Sequence, residues 1–320
     1  MYAQWEKNIT HTFYYFNGQS ATASVIFHNG DTSKTMTIPD AARSTDKTYD
    51  GHSDWDFRGF SSETAWNSEL DIGKDTTQLT ISNSDSNSTY YAQYQRTTTI
   101  TYVDYGDDAK QTNIQQETAY LNYNGGSVYS PEFKAITQNT MKYTENSVNG
   151  TKKETWSAIG WTTSTAQNAA AEKQAGDSII SHKDITYYGL YKKDVTLTYN
   201  PNGGTLSKKS DSYTRYANAS NVAEATKQTY TMPTPSWKEN SVTKYSLGGW
   251  TYGGNINNYS GYSANSNFYG KLVGTNNGDS NAAKFEYTPR VSDTIYASRT
   301  NQTAPVSYTH LRAHETLMNL

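Results

Sequence analysis

The chain has 320 residues, a formal net charge of −3 at pH 7 and no cysteine. This charge gives no electrostatic basis for nucleic-acid binding, and the lack of cysteine excludes disulfides, thiol nucleophiles and thiolate metal sites. No apolar run is long enough for a membrane span. The 28 tyrosines and 7 tryptophans predict short strands around aromatic cores, in a β-rich fold that is mainly β or α+β.

Three similar stretches follow one another along the chain. Each has an aromatic residue four positions before a glycine and a second aromatic directly after it, which we call the aromatic–glycine motif. Its members are Trp55, Gly59 and Phe60, then Trp156, Gly160 and Trp161, then Tyr245, Gly249 and Trp250. The spacing of about 90–100 residues predicts three tandem repeats, over residues 1–95, 96–193 and 194–304.

Each repeat is predicted to open and to close with a strand. The opening strands are residues 13–16, 99–103 and 195–199, and turn signals containing glycine follow them. The closing strands are residues 90–94, 187–191 and 294–298. Because no Gly/Ser-rich or Pro-rich linker separates neighbouring repeats, we expect them to hold a limited range of angles in an elongated array.

The aromatic–glycine motif is predicted to be structural. Side chains alternate along a strand, so the positions four and two before the glycine share one face: Trp55 and Phe57 in the first repeat, Trp156 and Ala158 in the second. The aromatic after the glycine is out of phase with them. A β-bulge at the glycine returns that aromatic to the same core, and glycine is a usual bulge residue.

The segments after the motif differ most between repeats. In the second repeat, residues 165–174 are rich in alanine and predict a short helix or an ordered surface excursion. In the third, residues 253–281 form a long Asn/Ser/Gly/Tyr loop. Its aromatic residues are Tyr259, Tyr262, Phe268 and Tyr269. Their composition is typical of a surface that contacts a protein or a glycan, and packing of the loop against its own repeat is the alternative.

Histidines and carboxylates do not form a recurring catalytic pattern. The histidines before residue 305 lie in different repeats or loops, and we predict solvated or turn residues. They are His11, His28, His52 and His182. Asp54, Asp56 and Glu63 resemble an acid–base group, but the matching positions of the other repeats are not acidic, which favours exposed strand residues.

One group of aspartates is a candidate for calcium binding. Asp104, Asp107 and Asp108 lie close together at a turn, and calcium stiffens many extracellular domains. The regular twelve-residue calcium loop is absent, and acidic residues at turns mostly form the turn itself. The sequence therefore predicts no catalytic, cofactor or metal residue.

Residues 305–320 depart from the composition of the rest. Residues 306–316 resemble the translation of a transposon-type DNA-sequencing adapter, so we expect that this segment is not native. His310 and His314 have the i, i+4 spacing of a helical zinc site, and the adapter interpretation is preferred. We accordingly expect that the chain is a fragment, with neither the signal peptide nor the anchor of its parent protein.

The combined pattern resembles a known repeat family. The third repeat carries Asn-Pro-Asn-Gly-Gly at 200–204, Met-Pro-Thr-Pro at 232–235, Gly-Gly-Trp at 248–250 and Ile-Tyr-Ala at 295–297. The second keeps Gly160-Trp161 without the prolines, and the first replaces Gly-Trp by Gly59-Phe60. In this order the motifs are similar to the Listeria–Bacteroides repeat, or internalin B-type repeat.

This resemblance implies small β-grasp-like domains, each with a few strands over a short helix, in bacterial surface proteins. It implies adhesion or spacing rather than catalysis. We therefore expect a non-enzymatic stalk or adhesin spacer, extracellular or attached to the cell wall, with a host-surface protein or a glycan as partner. The alternative is a carbohydrate-binding array attached to a secreted glycan-active enzyme, and an enzyme in its own right is the third hypothesis.

Overall fold

A computed structural model describes residues 4–43, 48–148, 150–239, 242–251, 270–273 and 284–301. The described part is β-rich, which confirms the expected fold class. Its helical elements are three short 3₁₀ turns, Phe16–Gly18, Asp40–Arg43 and Val222–Glu224. The family resemblance implies a short helix in each repeat, and the described residues contain no helix beyond these 3₁₀ turns.

The strands alternate with turns along the whole described chain. In chain order they are β1 (Lys7–Tyr15), β2 (Gln19–Phe27), β3 (Ser33–Thr37), β4 (Asp56–Ser61), β5 (Ile72–Gly73), β6 (Gln78–Ser82), β7 (Ser88–Tyr105), β8 (Lys110–Asn122), β9 (Val128–Tyr129), β10 (Glu132–Lys134), β11 (Met141–Ser147), β12 (Gly150–Thr162), β13 (Ser178–Ile180), β14 (Ile185–Asn200), β15 (Ser210–Asn218), β16 (Tyr230–Thr231), β17 (Trp237–Glu239), β18 (Val242–Thr251), β19 (Gly270–Val273), β20 (Lys284–Tyr287) and β21 (Asp293–Asn301).

One pairing pattern occurs three times in the large sheet. We call residues 1–95, 96–193 and 194–304 segments 1, 2 and 3. In segment 1, β1 pairs antiparallel with β2 and parallel with β7, and β7 pairs antiparallel with β4. In segment 2 the same relations join β7 to β8 and β14, and β14 to β12. In segment 3 they join β14 to β15 and β21, and β21 to β18.

Two long strands run from one segment into the next. β7 has 18 residues and β14 has 16, and each closes one segment with its first half and opens the following one with its second half. The boundaries expected at 95/96 and 193/194 therefore fall inside continuous strands. Because the backbone there is paired in the sheet, no free linker separates the segments at these two places.

Each segment has a core of large aromatic and aliphatic side chains. Phe13, Phe57, Phe60 and Tyr94 are buried together in segment 1. The corresponding cluster of segment 2 contains Tyr102, Trp161 and Tyr187. That of segment 3 contains Tyr199, Trp250 and Ile295. The aromatic after the motif glycine thus packs against the opening strand of its own segment.

The glycine of each motif lies at a β-bulge, as the sequence predicts. The register of the β4–β7, β12–β14 and β18–β21 pairs shifts at Gly59, Gly160 and Gly249. Their φ angles are 146°, 120° and 153°, a region that residues with a Cβ atom rarely adopt. These positions therefore require glycine for backbone geometry.

Replacing Gly59 by alanine is expected to lower the free energy of unfolding by about 2–4 kcal/mol. The added Cβ atom would meet the backbone carbonyl of Ile72 and the side chain of Leu70. Urea unfolding followed by tryptophan fluorescence measures the loss. Gly73→Ala is the matched control, since Gly73 lies directly opposite Gly59 and has open space around its Cβ position. Equal losses in the two variants would contradict the prediction.

Candidate functional site

The contacts between neighbouring segments are the most elaborate polar features of the described chain. We call the contacts around Trp55 and Arg96 joint 1, and those around Trp156 and Lys193 joint 2. Arg96 and Lys193 occupy matching places on β7 and β14, each two residues after a buried tyrosine. A buried basic residue therefore lies beside each segment boundary.

In joint 1, Arg96 connects segments 1 and 2. Its guanidinium is almost fully buried and donates to Asp54 of segment 1 at 3.1 Å and to Asp184 of segment 2 at 3.0 Å. It also donates to the backbone carbonyl of His182 at 2.5 Å and lies 6.0 Å from the ring of Trp55. Three acceptors from two segments thus bind one buried cation, and these contacts offset the free-energy cost of removing it from water.

A second ionic contact of joint 1 lies nearer to solvent. Asp50 of segment 1 accepts from Lys183 at 2.7 Å and contacts the His182 ring at 3.0 Å. These two hydrogen bonds lower the pKa of Asp50 below its ordinary value. Burial acts to raise the pKa of Asp54, but the hydrogen bond and charge of Arg96 outweigh it, so that pKa is lowered as well. Both carboxylates are therefore held in their charged form.

Acidification is expected to weaken joint 1. A carboxyl group whose pKa is lower in the folded state stabilises that state above its unfolded pKa, about 3.9 for Asp, and this contribution disappears as the pH falls through the folded value. As the pH falls below about 4, the melting temperature should therefore drop more in the wild type than in Asp54→Asn. Thermal melts at stepped pH test this, and parallel curves for the two proteins would refute it.

Joint 2 contains a buried ionic network. Glu145 accepts from Lys193 at 2.9 Å and from Arg215 of segment 3 at 2.6 Å, and Glu154 accepts from Lys193 at 2.7 Å. Trp156 lies beside both cations, 4.7 Å from the Lys193 ammonium and 5.2 Å from the Arg215 guanidinium. Two carboxylates thus balance two cations around one tryptophan ring, with cation–π attraction added.

A second contact of joint 2 lies at the far end of the β11–β12 hairpin. Lys152 of segment 2 donates to Asp293 of segment 3 at 2.7 Å, and the backbone amide of Val148 donates to the same carboxylate at 3.1 Å. Asp293 is nearly buried. The tip of this hairpin is therefore fixed to the next segment.

The loops after the motif also cross the joints. Asn122 of β8 donates to the carbonyl of Thr64 at 2.9 Å. Asn218 holds the matching place on β15 and donates to the carbonyls of Ser164 and Ala166 at 2.9 and 3.1 Å. Residues 165–174 contain no helix, so of the two predicted alternatives, a short helix or an ordered surface excursion, the second is correct. These loops are bound to the next segment at buried asparagines.

The structure separates the two aromatics of the motif in segment 2. Trp156 belongs to a cluster that segments 2 and 3 share, with Met141 and Tyr191 from segment 2 and Ala217 and Val222 from segment 3, whereas Trp161 belongs to the core of its own segment. The expectation that the bulge returns both to one core is therefore wrong in this segment. Ala158, expected on the core face, is exposed.

Several predicted residues have other surroundings than expected. His11 is buried in β1 and accepts from the Ser88 amide at 3.1 Å, so it is neither a solvated nor a turn residue. Asp104 is buried and accepts from the Tyr191 hydroxyl and the Asn139 amide. Asp107 and Asp108 pair with Lys153. Among the described residues no group of three or more acidic or histidine side chains is arranged to hold a metal ion.

Some predictions lie outside the described residues. They concern the aromatic loop residues Tyr259, Tyr262, Phe268 and Tyr269, and residues 305–320. Tyr245 belongs to β18, but the structure does not describe its side chain. No helix in the described part is long and apolar enough to cross a membrane.

Sequence reasoning did not identify the joint residues. Two sequence patterns mark these residues. One is a tyrosine followed two positions later by an asparagine, at 120–122 and 216–218, and the other is a basic residue two positions after Tyr94 and Tyr191. No protein-family model, curated protein or solved structure matches the chain. The likeness to the Listeria–Bacteroides repeat therefore stays a prediction, and the joints carry the functional argument.

Proposed function

We propose that this chain is the non-enzymatic repeat region of a bacterial cell-surface protein, where it acts as a stalk or adhesin spacer. In this proposal the three segments are tandem β-grasp-like repeats in an elongated array, extracellular or attached to the cell wall. The observation that carries it is the continuity of β7 and β14 across the two boundaries. A spacer needs fixed joints, and a continuous paired strand supplies them.

The boundary residues have little freedom to act as hinges. A hinge absorbs large changes of φ and ψ in a few residues. Here Gln95 pairs with Asp56 on one side and with Tyr120 on the other, and Lys192 likewise pairs with Ser157 and Tyr216. Bending at either boundary would break these ladders as well as the buried ionic contacts. The joints are therefore expected to be stiff.

A recurring hydrogen bond supports the proposal of three repeats. The amide three residues before the opening-strand aromatic donates to a side chain just before or at the start of the closing strand. The pairs are Thr10 to Asn87 at 2.9 Å, Thr99 to Asp184 at 2.8 Å and Thr196 to Ser292 at 3.0 Å. Matching backbone amides in the three segments thus make the same contact, although the accepting side chain differs each time.

Because the chain has no cysteine of its own, two introduced cysteines can be spin-labelled without side reactions. The distance between the two labels then tests the stalk proposal. Thr22→Cys in β2 and Ser212→Cys in β15 place labels at exposed positions of segments 1 and 3. We expect a narrow distribution of label distances by electron–electron double resonance. The comparison protein carries ten Gly/Ser residues inserted after Gln95. A wild-type distribution as broad as that of the insertion variant would overturn the proposal.

A further inference from the structure

The outer face of the sheet at joint 1 carries a row of directly opposed side chains. Asp56 of β4 lies opposite Gln95 of β7, Gln95 lies opposite Tyr120 of β8, and Tyr120 lies opposite Tyr129 of β9. Neighbouring strands are about 4.8 Å apart, so these four residues form one continuous strip. We call it the outer row.

Trp66 extends the aromatic end of the outer row. Its ring lies parallel to Tyr120 at 5.8 Å, and its centroid is 4.7 Å from that of Tyr129. The Trp66 amide donates to the Ser127 hydroxyl at 3.3 Å, which fixes the loop in place. Tyr129 remains 37% exposed. The rings therefore form a fixed aromatic surface that solvent reaches.

An open groove of about 560 Å³ adjoins the polar end of the row. Its polar lining comprises two carboxylates, two cations, an amide and a hydroxyl, namely Asp56, Asp75, Arg58, Lys74, Gln95 and Thr76. The Arg58 guanidinium lies 4.8 Å from the Tyr120 ring and so connects the groove to the aromatic surface. The volume lies within the range of about 300–1,000 Å³ that small-molecule sites occupy.

We infer that the outer row, Trp66 and the adjoining groove form a binding site for a neutral glycan. The C–H groups of a pyranose ring carry partial positive charge and pack on the negative face of an aromatic ring. Sugar hydroxyls both donate and accept, which suits a mixture of carboxylates, cations and an amide. Because the groove charges are balanced, they favour neither an acidic nor a basic ligand. The site does not depend on a surface or spacer role, but it needs the fixed geometry of joint 1, because Trp66 belongs to segment 1 and Tyr120 and Tyr129 to segment 2.

Joint 2 lacks most of this arrangement and provides an internal control. There the row consists of Ser157, Lys192 and Tyr216. In the described part of the chain β15 pairs with β14 alone, so no counterpart of Tyr129 follows. Tyr216 therefore has the position of Tyr120, but the described part of the chain provides no counterparts of Trp66 and Tyr129 beside it.

The experiment uses the full chain and three neutral polysaccharides, β-glucan, xyloglucan and glucomannan, immobilised in native gels. We expect at least one of them to retard the wild type. Trp66→Ala and Tyr129→Ala should each weaken that binding at least tenfold by titration calorimetry with the matching hexasaccharide. Tyr129→Phe keeps the ring and should bind within twofold of the wild type. Tyr216→Ala should do the same.

Three results would overturn the inference. The first is retardation by none of the neutral polysaccharides. The second is wild-type binding by Tyr129→Ala, and circular dichroism checks that this variant keeps the wild-type fold. The third is tighter binding to hyaluronan that salt abolishes, because such binding would be electrostatic.

Discussion

Glu145→Gln is expected to lower the free energy of unfolding by about 3 kcal/mol, because removing one member of a buried ionic network leaves its partner uncompensated. Arg215 is fully buried, and Glu145 is the carboxylate bound to it. The other hydrogen bonds of Arg215 go to the backbone carbonyls of Thr226 and Arg290, which do not neutralise its charge. Lys193 loses less, since Glu154 still binds it. Chemical unfolding followed by tryptophan fluorescence measures the change.

Two further variants separate charge from packing. Glu132→Gln removes an exposed carboxylate that pairs with Lys134, and a loss below about 0.5 kcal/mol is expected for such a surface pair. The quadruple variant Glu145→Leu, Glu154→Leu, Lys193→Met, Arg215→Met removes the whole network while keeping volume. It should recover most of the stability, since apolar replacement of a complete buried network is often neutral or stabilising. Wild-type stability of Glu145→Gln would show that the carboxylate is dispensable.

The local features of the fold could be predicted from the sequence because they depend on short patterns. The bulges follow from the phase change between Trp55 and Phe60 around Gly59, and the opening and closing strands follow from β-branched and aromatic runs. The β-rich class follows in the same way. These features need only the alternation of side chains and the tolerance of glycine for positive φ.

The joints could not be predicted in the same way because their partners are distant in sequence. Arg96 meets Asp54 of segment 1 across the segment boundary, and Glu145 meets Arg215 in the next segment. Sequence patterns do not show that β7 and β14 continue from one segment into the next. Without that continuity, the acidic residues near the first motif resemble an incomplete catalytic pair, whereas the structure shows Asp54 as a ligand of a buried arginine.

The segment 2 motif shows why one pattern supports two roles. Trp156 and Trp161 lie on the same strand, β12, on either side of the bulge. Both side chains are fully buried, so burial alone does not distinguish them. What differs is the cluster: that of Trp156 contains residues of segment 3 as well as of segment 2, and that of Trp161 contains residues of segment 2. In segment 2 the motif therefore contributes one tryptophan to the core of its own segment and one to the contact with segment 3.

This difference predicts different local effects for Trp156→Ala and Trp161→Ala. Each should cost about 3–5 kcal/mol, the usual range for removing a buried tryptophan. Trp156→Ala should speed hydrogen exchange about 100-fold or more in residues 213–226, because each 1.4 kcal/mol corresponds to a factor of ten. Trp161→Ala should instead affect residues 132–136 and 178–187, which surround it in segment 2. Exchange measured by mass spectrometry resolves these peptides.

The joint interpretation requires that the two exchange patterns differ. If Trp156→Ala loosens segment 2 and leaves residues 213–226 protected, Trp156 is an ordinary core residue and does not hold the segments together. If both variants loosen all three segments equally, the chain unfolds as one unit and the joints are as strong as the cores. A local response of β15 to Trp156→Ala, with segment 1 unchanged, is the result expected for a stiff array whose neighbours are coupled pairwise.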